Sequence, residues 1–307
     1  MTRRLNLLDF LTIVFITIII LLLILFYPRF PHGWQLLLGY IVLLLLALFI
    51  SYARHRWSKI DIVRVLCDLS PVFFILSIFE LLGGITPYLR PDIDSLLIKA
   101  DLVLFGAHPT VWIEDFFIPW VADILALAYI SYYFIPLVLI LALYFGGRTN
   151  EFFLTASTLL FGYYICYIIY IFMPAIGPRF TLAYLQEVPL RGGIIMNTIV
   201  DTLNTLEGNK RDCFPSGHTQ IVLVSLWFAF KYSRPLFRIY LPIIIALIIS
   251  TVYLRYHYVI DVAAGFVFAG ITVLLGSRVC GWWATGVTDR SGRSCISYPP
   301  RPLSPSA

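Results

Sequence analysis

Two short polar stretches interrupt an otherwise apolar chain: CFPSGHT at 213–219 and RYHYVID at 255–261. Together they bring two histidines, an aspartate, a serine and an arginine to the mouths of apolar segments, where membrane interiors penalise such groups. His257 and Asp261 are four residues apart, so on one helix they share a face within contact distance. A carboxylate on one imidazole nitrogen fixes the tautomer and makes the other nitrogen more basic, which prepares it to attack phosphorus. The bland alternative is a His–Asp pair that only satisfies itself at a helix end. Ser216 stands where a helix would begin; serine is a favoured N-cap, and the free N–H groups there attract an anion. Gly217 permits close backbone approach to a phosphate, and His218 is placed to protonate a leaving oxygen. An ordinary capped helix start, with a histidine reaching the interface, is the alternative there.

Cations suited to a phosphate group lie nearby in sequence. Arg179, in PAIGPRF, follows a loop stiffened by Pro174 and Pro178. A guanidinium grips phosphate oxygens bidentately, although interfacial arginines also meet lipid phosphates with no other role. Arg255 lies two residues before His257 and points to roughly the opposite helix face, which ranks it below Arg179. Lys210 and Arg211 add further positive charge just before the CFPSGHT stretch. Glu80 and Asp123 fall near the ends of apolar segments, where they could accept hydrogen bonds from a sugar or polyol.

The elements that must position these residues are membrane helices. The apolar fraction is 60% and the charged fraction 13%, against roughly 25% charge in soluble domains. About 20 apolar residues span a bilayer as helix, and eight stretches qualify: 9–27, 34–53, 63–84, 121–146, 151–173, 216–233, 238–256 and 259–279. Arg3 and Arg4 precede the first, but YPRFPHGW after it offers no small-residue cleavage site, which favours an uncleaved anchor. The expected fold class is an all-α polytopic membrane bundle of about eight transmembrane helices. An even number puts both termini on one side, where 14 of the 22 basic residues collect. The positive-inside rule then makes that side cytoplasmic. The connections carrying 177–180, 214–219 and 255–261 fall together on the opposite, external face. The net charge of +5 follows from the cytoplasmic loops and calls for no nucleic-acid partner. Cys67 and Cys166 fall within apolar stretches and Cys280 and Cys295 in the tail. Cys213 is then the lone external thiol, with no C-x-x-C spacing anywhere.

Along the chain, 1–62 reads as an accessory hairpin with a cytoplasmic loop, 63–280 as a six-helix core, and 281–307 as a disordered tail. Residues 85–120 mix Asp92, Asp94, Lys99, Asp101, Glu114 and Asp115 with large apolar side chains. A helix along the outer membrane surface, with Trp112 and Trp120 at headgroup level, is expected there. No internal repeat is evident.

The P-S-G-H quartet at 215–218, followed about forty residues later by H-x-x-x-D at 257–261, resembles the type 2 phosphatidic acid phosphatase superfamily of membrane lipid phosphatases and phosphotransferases. GPRF at 177–180 and YLRYHYVIDVAAG at 253–265 are most similar to its inositol phosphorylceramide synthase (aureobasidin-resistance) branch. The resemblance covers roughly 63–280. It implies that His257 is a nucleophile forming a phosphohistidine, with Asp261 orienting it. His218 would then be the acid for the departing alcohol and the base for the acceptor. Ser216 and the Gly217 backbone would hold phosphate oxygens, with Arg179 as the arginine of the first motif. It also implies no metal and no other cofactor, although two histidines and an aspartate could in principle hold zinc. Two departures stand out. Phe172 occupies the place of a lysine usual in the phosphatases, and Thr251 that of an arginine; Lys210, Arg211 or Arg255 are the available replacements. The inositol-transferring branch also lacks that second arginine, whereas Gly217 is the phosphatase choice within P-S-x-H.

The expected function is a membrane phosphoesterase acting on a lipid or polyprenyl phosphate or pyrophosphate, with hydrolysis favoured. The alternative is a phosphotransferase moving an inositol-phosphate-type headgroup to a lipid. A third reading, a transporter or lipid-binding protein with a His–Asp proton relay, would call for matched helix breaks in two halves; Pro136 has no such partner.

Overall fold

Backbone polar groups find no water in hydrocarbon, so an apolar chain crosses a bilayer as helix, with each N–H and C=O satisfied within the segment. The computed structural model describes residues 5–188, 193–206 and 208–285, and among these there is no strand. The main helices are α1 (Leu7–Leu25), α2 (Gly33–Arg56), α3 (Asp61–Leu82), α4 (Asp94–Phe105), α5 (Pro119–Ile130), α6 (Phe134–Phe145), α7 (Thr149–Phe172), α8 (Ile194–Leu206), α9 (Gly217–Tyr232), α10 (Arg234–Tyr253) and α11 (Val259–Thr285). The protein is an all-α polytopic bundle. Arg3, Arg4, Arg191, Arg290, Arg293, Arg301, Cys295 and most of the expected disordered tail lie outside the described residues.

Among the described residues, seven segments are long and apolar enough to cross a membrane: α1, α2, α3, α5 with α6, α7, α10 and α11. The remaining expected span is α9, and it differs from the others. Its 16 residues cover about 24 Å at 1.5 Å per residue, short of the roughly 30 Å hydrocarbon core. α9 packs against α6, α7, α10 and α11, with Ile221, Val222, Val224, Ser225, Phe228 and Ala229 all buried. Its one mid-helix amide, Gln220, is satisfied internally: Nε2 donates to the Gly162 carbonyl at 3.2 Å and to Thr272 Oγ1 at 2.9 Å.

The span made of α5 and α6 is broken by a 3-10 turn, Ser131–Tyr133. Pro136 explains the break, because it has no N–H for the carbonyl four residues earlier and its ring crowds that carbonyl. The carbonyl belongs to Tyr132, within the turn. The break sets Tyr129 and Tyr132 against His218 on α9, with ring centroids 4.6 Å and 4.3 Å away.

Residues 85–120 are not one surface helix. α4 ends at Gly106, whose φ of +70° suits a left-handed C-cap. A second short helical stretch, Pro109–Phe116, leaves α4 at 71°. Trp112 and Trp120 are exposed, as expected, but Asp94, Asp101 and Glu114 are buried. The α1–α2 hairpin is joined to the rest of the bundle: Phe15 stacks on Tyr164 of α7 at 4.3 Å, and the Tyr164 hydroxyl donates to Thr12 Oγ1 at 3.0 Å.

Candidate active site

Three loops meet where α7 ends, α9 begins and α10 turns into α11. Backbone hydrogen bonds stitch them together: Cys213 N–H to the Ala175 carbonyl (3.1 Å), Arg179 N–H to the Arg255 carbonyl (3.0 Å) and Ser216 N–H to the Asp261 carbonyl (3.1 Å). Gly177, with φ of +92°, makes the closest approach; a Cβ there would fall 2.7 Å from the Tyr256 carbonyl oxygen. Only glycine fits both demands.

This stitching brings two histidines from distant stretches into contact. His218 Nδ1 lies 3.2 Å from His257 Nε2. The other nitrogen of His257, Nδ1, lies 3.0 Å from the Cys213 carbonyl oxygen and 3.4 Å from Asp261 Oδ2. Both partners are acceptors, so Nδ1 carries the proton and the Nε2 lone pair points to His218. Two opposed effects act on the His257 ring: burial favours its neutral form, while the Asp261 carboxylate favours the charged one and prevails, so its pKa is raised.

Asp261 Oδ2 also accepts the Tyr258 N–H at 3.1 Å and the Cys213 thiol at 2.8 Å. Burial, and then the Asp261 charge, push the Cys213 thiol well up, so it is no thiolate nucleophile. Cys213 is buried. Its sulfur, His257 Nδ1 and an Asp261 oxygen lie within 4.8 Å of one another, which is a donor set a metal ion could use.

The histidine pair opens onto a narrow cleft lined by Tyr129, Ile176, Arg179, Phe180, Asn209, Lys210, Asp212, Cys213, His218, Tyr256 and His257. Tyr129 and Tyr256 stack at 4.5 Å, and the Arg179 guanidinium lies 5.3 Å from the Tyr256 ring centroid. Of the expected cations, Arg179 and Lys210 line this cleft, but Arg211 and Arg255 do not. Arg211 makes a two-pronged contact with Asp92, at 2.7 Å and 3.1 Å. Arg255 is buried and paired with Glu114 at 2.9 Å, and it donates to Gln186 Oε1 at 3.1 Å and to the Val188 carbonyl at 3.0 Å. Ser216 caps α9, its Oγ accepting the Thr219 N–H at 3.3 Å. Gly217 packs against the Tyr170 hydroxyl. Both stand at the helix start beside His218 but do not line the cleft.

Glu80 and Asp123, considered for polyol binding, instead accept backbone N–H groups, Gly208 at 3.1 Å and Met196 at 2.8 Å. Asp212 was not singled out in the sequence, although it adjoins the CFPSGHT stretch. It lines the cleft, and burial pushes its carboxyl up to about 6. Tyr129 and Tyr256 gave no signal among 19 tyrosines.

Comparison with curated proteins and with solved structures gave no match in either case. Residues 97–275 match the PAP2 superfamily, a stretch covering more than half of the chain and every residue lining the cleft. With two histidines in contact beneath an arginine and a lysine, and that match, the chain belongs to the PAP2 superfamily, a family of phosphatase-type enzymes.

Proposed function

We propose that this protein cleaves a lipid or polyprenyl phosphate ester by way of a phosphohistidine on His257, with hydrolysis as its main outcome. The observation that carries this reading is the contact between His218 Nδ1 and His257 Nε2 on a cleft that also holds Arg179 and Lys210. Nε2 of His257 attacks phosphorus while the bond to the departing alkoxide breaks. The alkoxide takes its proton from protonated His218. Water then gives a proton back to His218 and attacks phosphorus, which breaks the P–N bond, frees phosphate and restores His257. Asp261 and the Cys213 carbonyl hold the imidazole in the attacking tautomer.

At 3.2 Å the two rings touch, so a phosphoryl group enters between them only when the His218 ring turns aside. Arg179 carries the phosphate oxygens bidentately, and Lys210 supplies the second positive charge where Phe172 and Thr251 replace family cations. Exposed apolar helix faces around the bundle favour a substrate that arrives from the bilayer. On the positive-inside argument the cleft faces the external side and both termini the cytoplasm.

An alcohol could meet the phosphohistidine in place of water, which would give the inositol-phosphate transfer of the aureobasidin-resistance branch. The test is phosphate release by the purified protein from phosphatidic acid and, separately, undecaprenyl pyrophosphate, each with and without added inositol. Released phosphate that inositol leaves unchanged supports hydrolysis; an inositol-containing product with less free phosphate supports transfer. His257→Ala is expected to abolish turnover, and retained turnover in that variant removes His257 as the nucleophile.

A further inference from the structure

The segment read in sequence as a surface helix holds three buried carboxylates, Asp94, Asp101 and Glu114, exposed by 5%, 2% and 9%. Taking a carboxylate out of water costs several kcal/mol even after relaxation, so three in one short stretch need a compensating set of donors. Those donors all come from the loops of the histidine site. Asp94 Oδ2 accepts the Ile176 N–H at 2.9 Å, and its Oδ1 accepts the Gly177 N–H at 2.8 Å and the Tyr258 hydroxyl at 2.8 Å. Asp101 accepts the Val259 and Ile260 N–H groups at 3.0 Å and 2.8 Å, two of the donors that a helix start leaves without intrahelical partners. Glu114 Oε2 accepts the Glu187 and Val188 N–H groups, each at 3.1 Å, and Oε1 pairs with Arg255 at 2.9 Å.

We propose that this acidic segment is a positioning frame for the reaction. Asp94 is its central member, fixing the Arg179 loop to the His257 loop; the proposal rests on the function given above. One carboxylate gathers amides two and three residues before Arg179 and the side chain directly after His257. The Arg179 N–H to Arg255 carbonyl bond joins these two loops directly, but one such bond is no ladder that could hold the register. Asp101 does the same for the helix start that carries Asp261. Apolar side chains would stabilise this contact at lower desolvation cost, but they could not fix the direction of a backbone N–H.

The test compares wild type with Asp94→Asn in detergent micelles, using phosphatidic acid as the probe substrate. The substitution keeps the volume but replaces one acceptor oxygen with an NH₂ group facing donors. The expected result is a slightly lowered melting temperature, faster hydrogen exchange confined to the amides of 176–177, and kcat/KM lower by about 100-fold. In an Arg179→Ala background the same substitution is expected to cost less than about threefold, because the group it aims is gone. Full additivity of the two substitutions overturns the proposal. So does wild-type exchange at 176–177, or a loss of folded protein with wild-type turnover per folded molecule. If Asp94→Asn does not fold, Tyr258→Phe removes the hydroxyl's links to both Asp94 and Thr181 and is expected to lower kcat/KM about tenfold with a slightly lowered melting temperature; wild-type kcat/KM there overturns the proposal as well. A wild-type protein that turns over no lipid phosphate sinks the function, while the exchange measurement still decides whether Asp94 holds the loop.

Discussion

Two polar clusters are buried in this apolar bundle, at opposite ends of α3, and they are finished differently. Near the start of α3, Arg54 donates through Nε and Nη2 to the two Asp9 oxygens at 3.0 Å, through Nη1 to Asp68, and again through Nη2 to the Cys67 carbonyl at 2.6 Å. Tyr144 donates to the other Asp68 oxygen at 3.2 Å. Every guanidinium nitrogen is used, and the cluster ties α1, α2, α3 and α6 together. Beyond the far end of α3 stand His218, His257 and Asp261. There His218 Nε2 and Asp261 Oδ1 are buried without a hydrogen-bond partner, and both rings line an open cleft. Burial of charge alone therefore does not mark a reactive site in a membrane bundle. The histidine cluster differs in keeping hydrogen-bonding capacity unspent beside a cleft, whereas a group already saturated has nothing left to offer a substrate.

The sharpest way to break this contrast is to remove one member from each cluster. His218→Ala is expected to cost a factor of about 10³ or more in kcat while leaving the melting temperature close to wild type, since in the proposed mechanism its loss removes the proton donor. Arg54→Ala is expected to do the reverse. It strands two buried carboxylates and destabilises the fold by about 3–5 kcal/mol, with turnover per folded molecule unchanged; denaturation in micelles alongside a phosphate-release assay reads both. An Arg54→Ala protein that melts normally would remove the structural role assigned to its cluster.

Gly177→Ala tests the loop stitching with a smaller expected effect. The added methyl meets the Tyr256 carbonyl at 2.7 Å in a left-handed conformation, a strain of about 1–3 kcal/mol. Displacement of Arg179 is expected to show as a raised KM more than as a lowered kcat.

The smallest effect is expected from Asp212→Asn, read in the pH profile. The ionised Asp212 carboxylate helps to raise the His257 pKa, and the proposed attack requires neutral His257. Removing that charge lowers the His257 pKa, so the acid limb of kcat/KM moves to lower pH. A limb that stays in place takes Asp212 out of the electrostatics of the site. The stability linked to His257 has its own sign: its raised folded pKa gives stability that is full below the unfolded value and is lost as pH rises through the folded one.

Legibility in the sequence followed the range of the interactions. Helix positions were readable because an apolar run needs no knowledge of its neighbours, and the stretches expected at 9–27 and 34–53 match α1 and α2 within a few residues. The stretch expected at 216–233 likewise matches α9 within one residue at each end, whereas the 71° bend after Gly106 was not readable, since it depends on what packs around it. In the sequence Arg54 is only one of several basic residues that follow an apolar stretch. Its burial became visible only when Asp9 and Asp68 arrived from two other helices. In the same way Arg255 and Arg211 looked like free phosphate ligands until Glu114 and Asp92 met them across 119 or more residues of chain.

By itself the sequence determined that this chain forms membrane helices and that His218, His257 and Asp261 are its chemically distinctive residues, because hydropathy and i,i+4 spacing are local properties. Tertiary structure alone decided that the two histidines touch, that Asp212 and two tyrosines share their cleft, and that buried carboxylates from 94–114 hold the surrounding loops. Those outcomes depend on which distant backbone donors meet which acceptors, and the balance of desolvation against pairing that selects them exists only once the chain is folded.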